Sequence, residues 1–210
     1  MSSENSSSTH GIVGRVFRLA LDIILGIIAG IVLTLIVVNL LLYAEGKSAY
    51  TAVNGWSITM KAGRPGNSFL LRALMADLLP AVNVAEESVY WITAKDSTGQ
   101  RLSGQHGYRL HFPSGGLPPN DAFWSVTMTD AKKVLVANSI DRYSVGDRSG
   151  LVKNADGSTD IYIQNAAPAG PQANWLPAPT GAFILWLRAY QPGKTILDGT
   201  YQVPPVVEVR

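Results

Sequence analysis

The chain opens on a polar run, passes into a long apolar run, and then settles into short alternations of apolar and polar positions. Ile23 to Leu42 is an uncharged stretch of twenty residues, with Arg15 and Arg18 before it and Glu45 and Lys47 after it. As a helix rising about 1.5 Å per residue it is about 30 Å long, roughly the hydrocarbon thickness of a bilayer. The pattern predicts a transmembrane anchor over 19–43 and, before it, a disordered cytoplasmic tail over 1–18, whose serine-rich start lacks apolar periodicity. The basic flank at Arg15 and Arg18 should stay on the cytoplasmic side and send the remainder across, with Lys47 partly opposing it. A cleaved signal peptide fits less well. The apolar run is too long, and Leu42-Tyr43-Ala44 has a large residue where a small-x-small site is needed. Gly26 and Gly30 form a GxxxG pair that would allow close approach of two such helices, which makes a homo-oligomer a candidate partner.

After a linker over 44–54 comes one domain over 55–210. Near its start, Leu70, Leu71, Leu74, Met75 and Leu78 fall on one helical stripe between Ser68, a candidate cap, and Pro80, a stop. The stripe is expected to cover the end or face of a sheet. From Ser88 the period changes to two. SVYWITA, HGYRLHF, AFWSVTMTD, KVLVAN, the hairpin LVKNADGSTDIYIQ around Asp156-Gly157, AFILWLRAY and VPPVVEV read as strands separated by turn residues. Repeated short strands without intervening helical periods predict an antiparallel sandwich rather than a parallel α/β sheet. Phe183 to Leu187 is apolar on both faces, which places that strand at a sheet's centre. The fold class is therefore all-β, with one short amphipathic helix, behind a single N-terminal transmembrane helix.

Composition narrows the function classes. The 17 basic and 15 acidic residues nearly balance and form no basic block, so nucleic acid is not an expected partner. There is no cysteine, hence no thiolate nucleophile and no cysteine-based metal site. His106 and His111 stand five apart on one strand and point to opposite faces, so they cannot chelate together. Asn154, Asp156, Ser158 and Asp160 alternate like a calcium loop, but the glycine falls at the fourth place and Asn165 stands at the twelfth. A glycine turn explains the same residues. No metal and no cofactor is expected. GxSxG, SxxK, P-loop and GxGxxG motifs are absent, and Glu86-Glu87 reads as a solvated turn.

The most suggestive residues combine arginine, amide and aromatic groups. Arg188 shares a strand face with Ile184, Trp186 and Tyr190, an unusual place for a cation unless it is paired or reaches a cleft. Arg142-Tyr143 and Asn174-Trp175 fall in loops. Arg142, Tyr143, Asn174, Trp175, Arg188 and Tyr190 would suit a sugar ring or small anion through stacking and bidentate bonds. The alternative is structural: Arg188 pairs with a carboxylate such as Asp141, and Trp175 plugs the sandwich end.

An ordered set of short stretches carries a family resemblance. It comprises Tyr90 with Asp96…Gly99, Phe123-Trp124-Ser125, Asn138…Asp141-Arg142-Tyr143-Ser144, Asp156-Gly157-Ser158, Asn174-Trp175-Leu176-Pro177-Ala178-Pro179, Leu187-Arg188-Ala189-Tyr190-Gln191-Pro192 and Asp198-Gly199…Pro204-Pro205. From about Gly55 to Arg210 the chain resembles the bacterial DUF1214 family, whose members stand alone behind a hydrophobic segment or follow a DUF1254 half, absent here. The resemblance implies a jelly-roll-like domain and supplies no activity. The expectation is a single-pass protein of the bacterial inner membrane with a periplasmic or extracellular C-terminal domain. That domain would be non-catalytic and bind a glycan, a small anionic ligand or a protein partner at the cell envelope. The rival is a metal-independent hydrolase using arginine and carboxylate groups.

Overall fold

Helix α1 (Glu4–Ala49) takes up the whole apolar run and extends beyond it at both ends. The structure is a computed structural model; it describes residues 4–61, 63–64, 66, 68–78 and 83–209, without the side chains of 4–13 and 77–78. Pro80, the expected helix stop, lies outside the described residues. The chain divides into two units between Lys47 and Ser48. In the first, the helix is long and apolar enough to cross a membrane. Its aliphatic side chains are exposed, Leu33 and Ile27 among them. Thr34 Oγ1 and Asn39 Nδ2 each donate to a carbonyl one turn back, Gly30 O and Leu35 O, both at 2.8 Å, so neither polar group is left unsatisfied. Residues 4–18, expected to lack structure, are helical here, because a nucleated helix extends cheaply one hydrogen bond at a time.

The second unit is a sandwich of two sheets. One has six strands in the order β1 (Thr51–Val53), β2 (Trp56–Ile58), β3 (Ser88–Thr93), β9 (Phe183–Pro192), β5 (Asn120–Asp130) and β6 (Ser144–Gly146). The other has four: β10 (Val206–Val209), β4 (Gly107–Phe112), β7 (Thr159–Gln164) and β8 (Trp175–Pro177). All pairs are antiparallel except β7 with β8. The doubly apolar strand β9 lies at the six-stranded sheet's centre, between β3 and β5. Inward positions alternate as the sequence requires. Trp91, Trp124, Val126, Leu185 and Leu187 face Tyr108, Leu110, Phe112, Ile161 and Ile163 across the core. Phe112 meets Trp124 at 5.3 Å and Tyr108 meets Phe183 edge-on at 5.8 Å, which ties sheet to sheet.

Four expectations change. β1 and β2 form a hairpin where a linker was expected, closed by Asn54 and Gly55 at φ 49° and 85°, the positive values a tight two-residue turn needs. The segment KVLVAN contributes only a bridge between Leu135 and Thr129, and the first arm of the expected Asp156-Gly157 hairpin is not a strand, because Val152 pairs instead with a side chain, Asn174. Helix α2 (Phe69–Leu78) is capped by Ser68, whose Oγ accepts from Leu71 N at 3.0 Å. Its buried Leu71 and Met75 cluster with Ala49 and Tyr50 rather than with the sandwich core.

Candidate functional site

On β9 the odd positions from Phe183 to Ala189 are buried in the core, and Ile184, Trp186, Arg188 and Tyr190 occupy the opposite face of the sheet. Cross-strand register sets rows on that face. Tyr190 lies between Ser88 and Phe123, Arg188 between Tyr90 and Ser125, and Trp186 between Ile92 and Thr127. A bulge in β5, where Asp121 and Ala122 oppose the single residue Gln191 between the Asn120 and Phe123 pairs, re-aims the row end. Phe123 stacks on Tyr190 at 4.4 Å and 19°, and the Arg148 guanidinium sits over Phe123 at 4.3 Å. Arg148 Nη2 also reaches the Ala122 carbonyl beside the bulge at 3.4 Å.

These side chains border a cleft of about 370 Å³ lined by Arg188, Arg148, Phe123, Tyr190 and three serines, Ser125, Ser144 and Ser149. Gly146 completes the wall. A β-carbon there would lie 2.1 Å from Trp124 O, so only glycine lets β6 approach β5. Arg188 Nη2 donates to Thr127 Oγ1, and its buried Nε–H has no acceptor. Among the described residues no carboxylate lies within ion-pair distance of Arg188, and none lines the cleft. The expected partner Asp141 is exposed and accepts instead from Tyr143 Oη at 3.4 Å. A half-buried guanidinium without counter-charge, with one buried donor orphaned, is costly, and such groups call for an explanation beyond stability. An anion in the cleft would supply both the missing charge and the missing acceptor.

The six residues singled out from the sequence divide into two places. Arg188 and Tyr190 border the cleft. The other four lie elsewhere: Tyr143 donates to Asp141, two residues back, while Arg142, Asn174 and Trp175 lock loops together. Arg142 Nη1 donates to the carbonyls of Gln172 and Trp175. Asn174 is 1 % exposed; it bonds both backbone groups of Val152 and donates to Asp160 O at 2.8 Å. Trp175 is buried, with Nε1 on Gln164 O at 2.8 Å. These groups are engaged with the protein's own backbone. Gly26 and Gly30 lie on the exposed α1 helix, with open space at each Cα. Arg148, the cation that joins Arg188, was not singled out. Its signal was faint: one arginine in a polar loop following Ser144-Val145-Gly146.

A second polar group lies on the outer face of the four-stranded sheet. His111 and Asp160 oppose each other across β4 and β7, with Nδ1 2.7 Å from Oδ1. Arg109 Nε approaches the same carboxyl oxygen at 3.9 Å, and Asn154 Nδ2 donates to its other oxygen at 3.1 Å. Ser158, a nearby hydroxyl, is buried and committed to Asp156 at 2.6 Å, so it is not free for the His–Asp pair to activate. The Ser158 hydroxyl and amide hold the Asp156 carboxyl below the usual carboxylate range. The calcium-like spacing is a turn, closed by Asn154 N to Ser158 O at 2.8 Å with Gly157 at φ 82°. His106 pairs with Glu208 at 3.0 Å, outside β4. Among the described residues no three His, Asp or Glu side chains gather as metal ligands would. Glu86 and Glu87 are exposed in a turn, Glu86 paired with Arg64 at 2.9 Å.

A family model described as a protein of unknown function, DUF1214, matches residues 87–194, which run from just before β3 into α3 (Lys194–Leu197). The chain belongs to the DUF1214 family. Every side chain bordering the cleft lies inside the matched segment. The crystal structure of the VPA0106 protein from Vibrio parahaemolyticus is similar, with 29% identity and a TM-score of 0.58 over 67% of this chain and 35% of that one. This DUF1214 chain thus spans about a third of that structure's length. An uncharacterized protein from Burkholderia cenocepacia aligns at 15% identity and a TM-score of 0.35, over 58% of this chain and 29% of that one. No curated protein matches.

Proposed function

We propose that this DUF1214 protein is a membrane-tethered, non-catalytic module that binds a small anion on the face of its six-stranded sheet. The observation that carries the reading is Arg188, a guanidinium with a buried, unpartnered Nε–H and no carboxylate beside it, opening on a cleft shared with Arg148. Three serine hydroxyls in the same cleft add donors suited to carboxylate or phosphate oxygens. A glycan is less well served. Phe123 is flanked by Arg148 and Tyr190, which leaves little of its face for a sugar ring. Helix α1 would hold the domain at the cell envelope, and the Arg15 and Arg18 flank favours an extracytoplasmic position.

The test is a thermal-denaturation screen of the full chain in a nonionic detergent against organic anions, inorganic phosphate, monosaccharides and divalent cations. An anion should raise the transition temperature of the wild type and leave Arg188→Met unmoved. Stabilisation by sugars or metal ions alone would refute the reading. A hydrolase is the second reading, and His111 favours it: Nδ1 is held on Asp160, so Nε2 is left to act as a base. Turnover of generic esters that is lost in His111→Gln would establish that reading.

A further inference from the structure

The face that carries Arg188 does not end at the cleft. Trp186 lies two residues away on the same side of β9, a separation of roughly 7 Å. On its far side is a groove of about 510 Å³ bordered by Trp186, Ile184, Ile92, Ala94, Ala52 and Tyr50. Ile92 and Ile184 are outward positions of a sandwich sheet, which ordinarily carry polar residues. The wall is rigid, because Trp186 Nε1 is tied to Thr129 Oγ1 at 2.9 Å. The cation leans toward this groove. Arg188 bonds not to Ser125 in its own row but to Thr127, the cross-strand partner of Trp186. Lys95 stands at the groove's other rim. The volume falls within the roughly 300–1,000 Å³ typical of ligand sites.

We infer that the anion is the head group of a single-chain amphiphile of the fatty-acid class, its carboxylate on Arg188 and its hydrocarbon chain passing Trp186 into the groove. The inference rests on the anion reading of the cleft and adds the ligand's second half. Charge complementarity and the adjacency of Arg188 and Trp186 on one strand face, the first bordering the cleft and the second the groove, select this occupant. An apolar peptide side chain would leave Arg188 uncompensated, and a short anion would leave Ile92 and Ile184 uncovered.

Isothermal titration of the full chain in phosphatidylcholine nanodiscs, with empty nanodiscs subtracted, tests the inference using acetate, hexanoate, dodecanoate and dodecanol. Each methylene taken into the groove is worth roughly a fourfold gain in affinity, so dodecanoate should bind at least about tenfold more tightly than acetate. Ile184→Gln and Ala52→Phe, which polarise and fill the groove, should abolish that gain and leave acetate binding unchanged. Arg188→Met should lose all three acids. Acetate binding with no dependence on chain length would overturn the amphiphile and leave the anion reading standing. Dodecanol binding with no response to any of the three acids would overturn both readings, as would heats equal to those of empty nanodiscs. If the groove variants retain the chain-length gain, the hydrocarbon lies elsewhere and the inference fails.

Discussion

The Asn174 side chain accepts from the Val152 amide and donates to the Val152 carbonyl, both at 2.8 Å, so it replaces a neighbouring strand for that residue. A third bond, to Asp160 O, ties the same amide to β7. Asn174→Ala would leave these buried groups unsatisfied, at a cost of roughly 1–3 kcal/mol for each. All five tryptophans lie in the β-domain, so their fluorescence follows its unfolding in the full chain. The urea midpoint of Asn174→Ala should fall well below that of the wild type, and an unchanged midpoint would show the loops to be held by other contacts.

Arg188 should behave in the opposite way. Its charge is half-buried without a partner, so Arg188→Met removes a desolvation cost and restores an apolar stem. The variant should be at least as stable as the wild type and fail to bind anions, the trade expected of a residue retained for a ligand. If the urea midpoint drops instead, Arg188 is a structural residue.

Acid stability offers a third check. Burial would raise the pKa of Asp96, but bonds from the Thr98 hydroxyl and amide and the Gln100 and Gly99 amides outweigh it and hold the carboxyl below the usual range. A depressed folded value stabilises the protein above the unfolded pKa of about 4, and that contribution disappears as pH falls from there through the folded value. Asp96→Ala should therefore be less stable than the wild type at pH 7. The gap should narrow in unfolding curves taken at successively lower pH from about 5 downward; a gap constant with pH would show that ionisation of Asp96 contributes nothing.

Orientation can be read with a C-terminal tag in a Gram-negative host. Protease added to spheroplasts should remove the tag, and Arg15→Glu with Arg18→Glu should reduce that cleavage by shifting the basic bias to Lys47. A tag that stays protected in the wild type would place the domain in the cytoplasm.

Local periodicity made much of this fold legible. The alternation along β5 set Trp124, Val126 and Met128 on the core face, and the doubly apolar run Phe183–Leu187 located the central strand. The β1–β2 hairpin was also readable in Asn54-Gly55, but three-residue strands are too short for period two to stand out. What stayed hidden depends on register. Nothing local announces that Val152 pairs with a side chain, or that Arg188 has Arg148 and not Arg142 for company. Those facts follow from which strand lies beside which. His111 stood out only beside His106 and Asp160 only within the calcium-like spacing, and only the β4–β7 alignment places the two opposite one another.

Trp56 Nε1 donates to the carbonyl of Pro204 at 2.9 Å, and Asn54 Nδ2 donates to that of Val203 at 2.8 Å, while Val206 to Val209 complete the smaller sheet beside β4. The domain's first hairpin is thus fastened to the segment that leads into its tenth strand, across about 150 residues of chain. A sandwich wired in this way closes only after those distant stretches have met, so its folding is governed by contacts of long sequence separation.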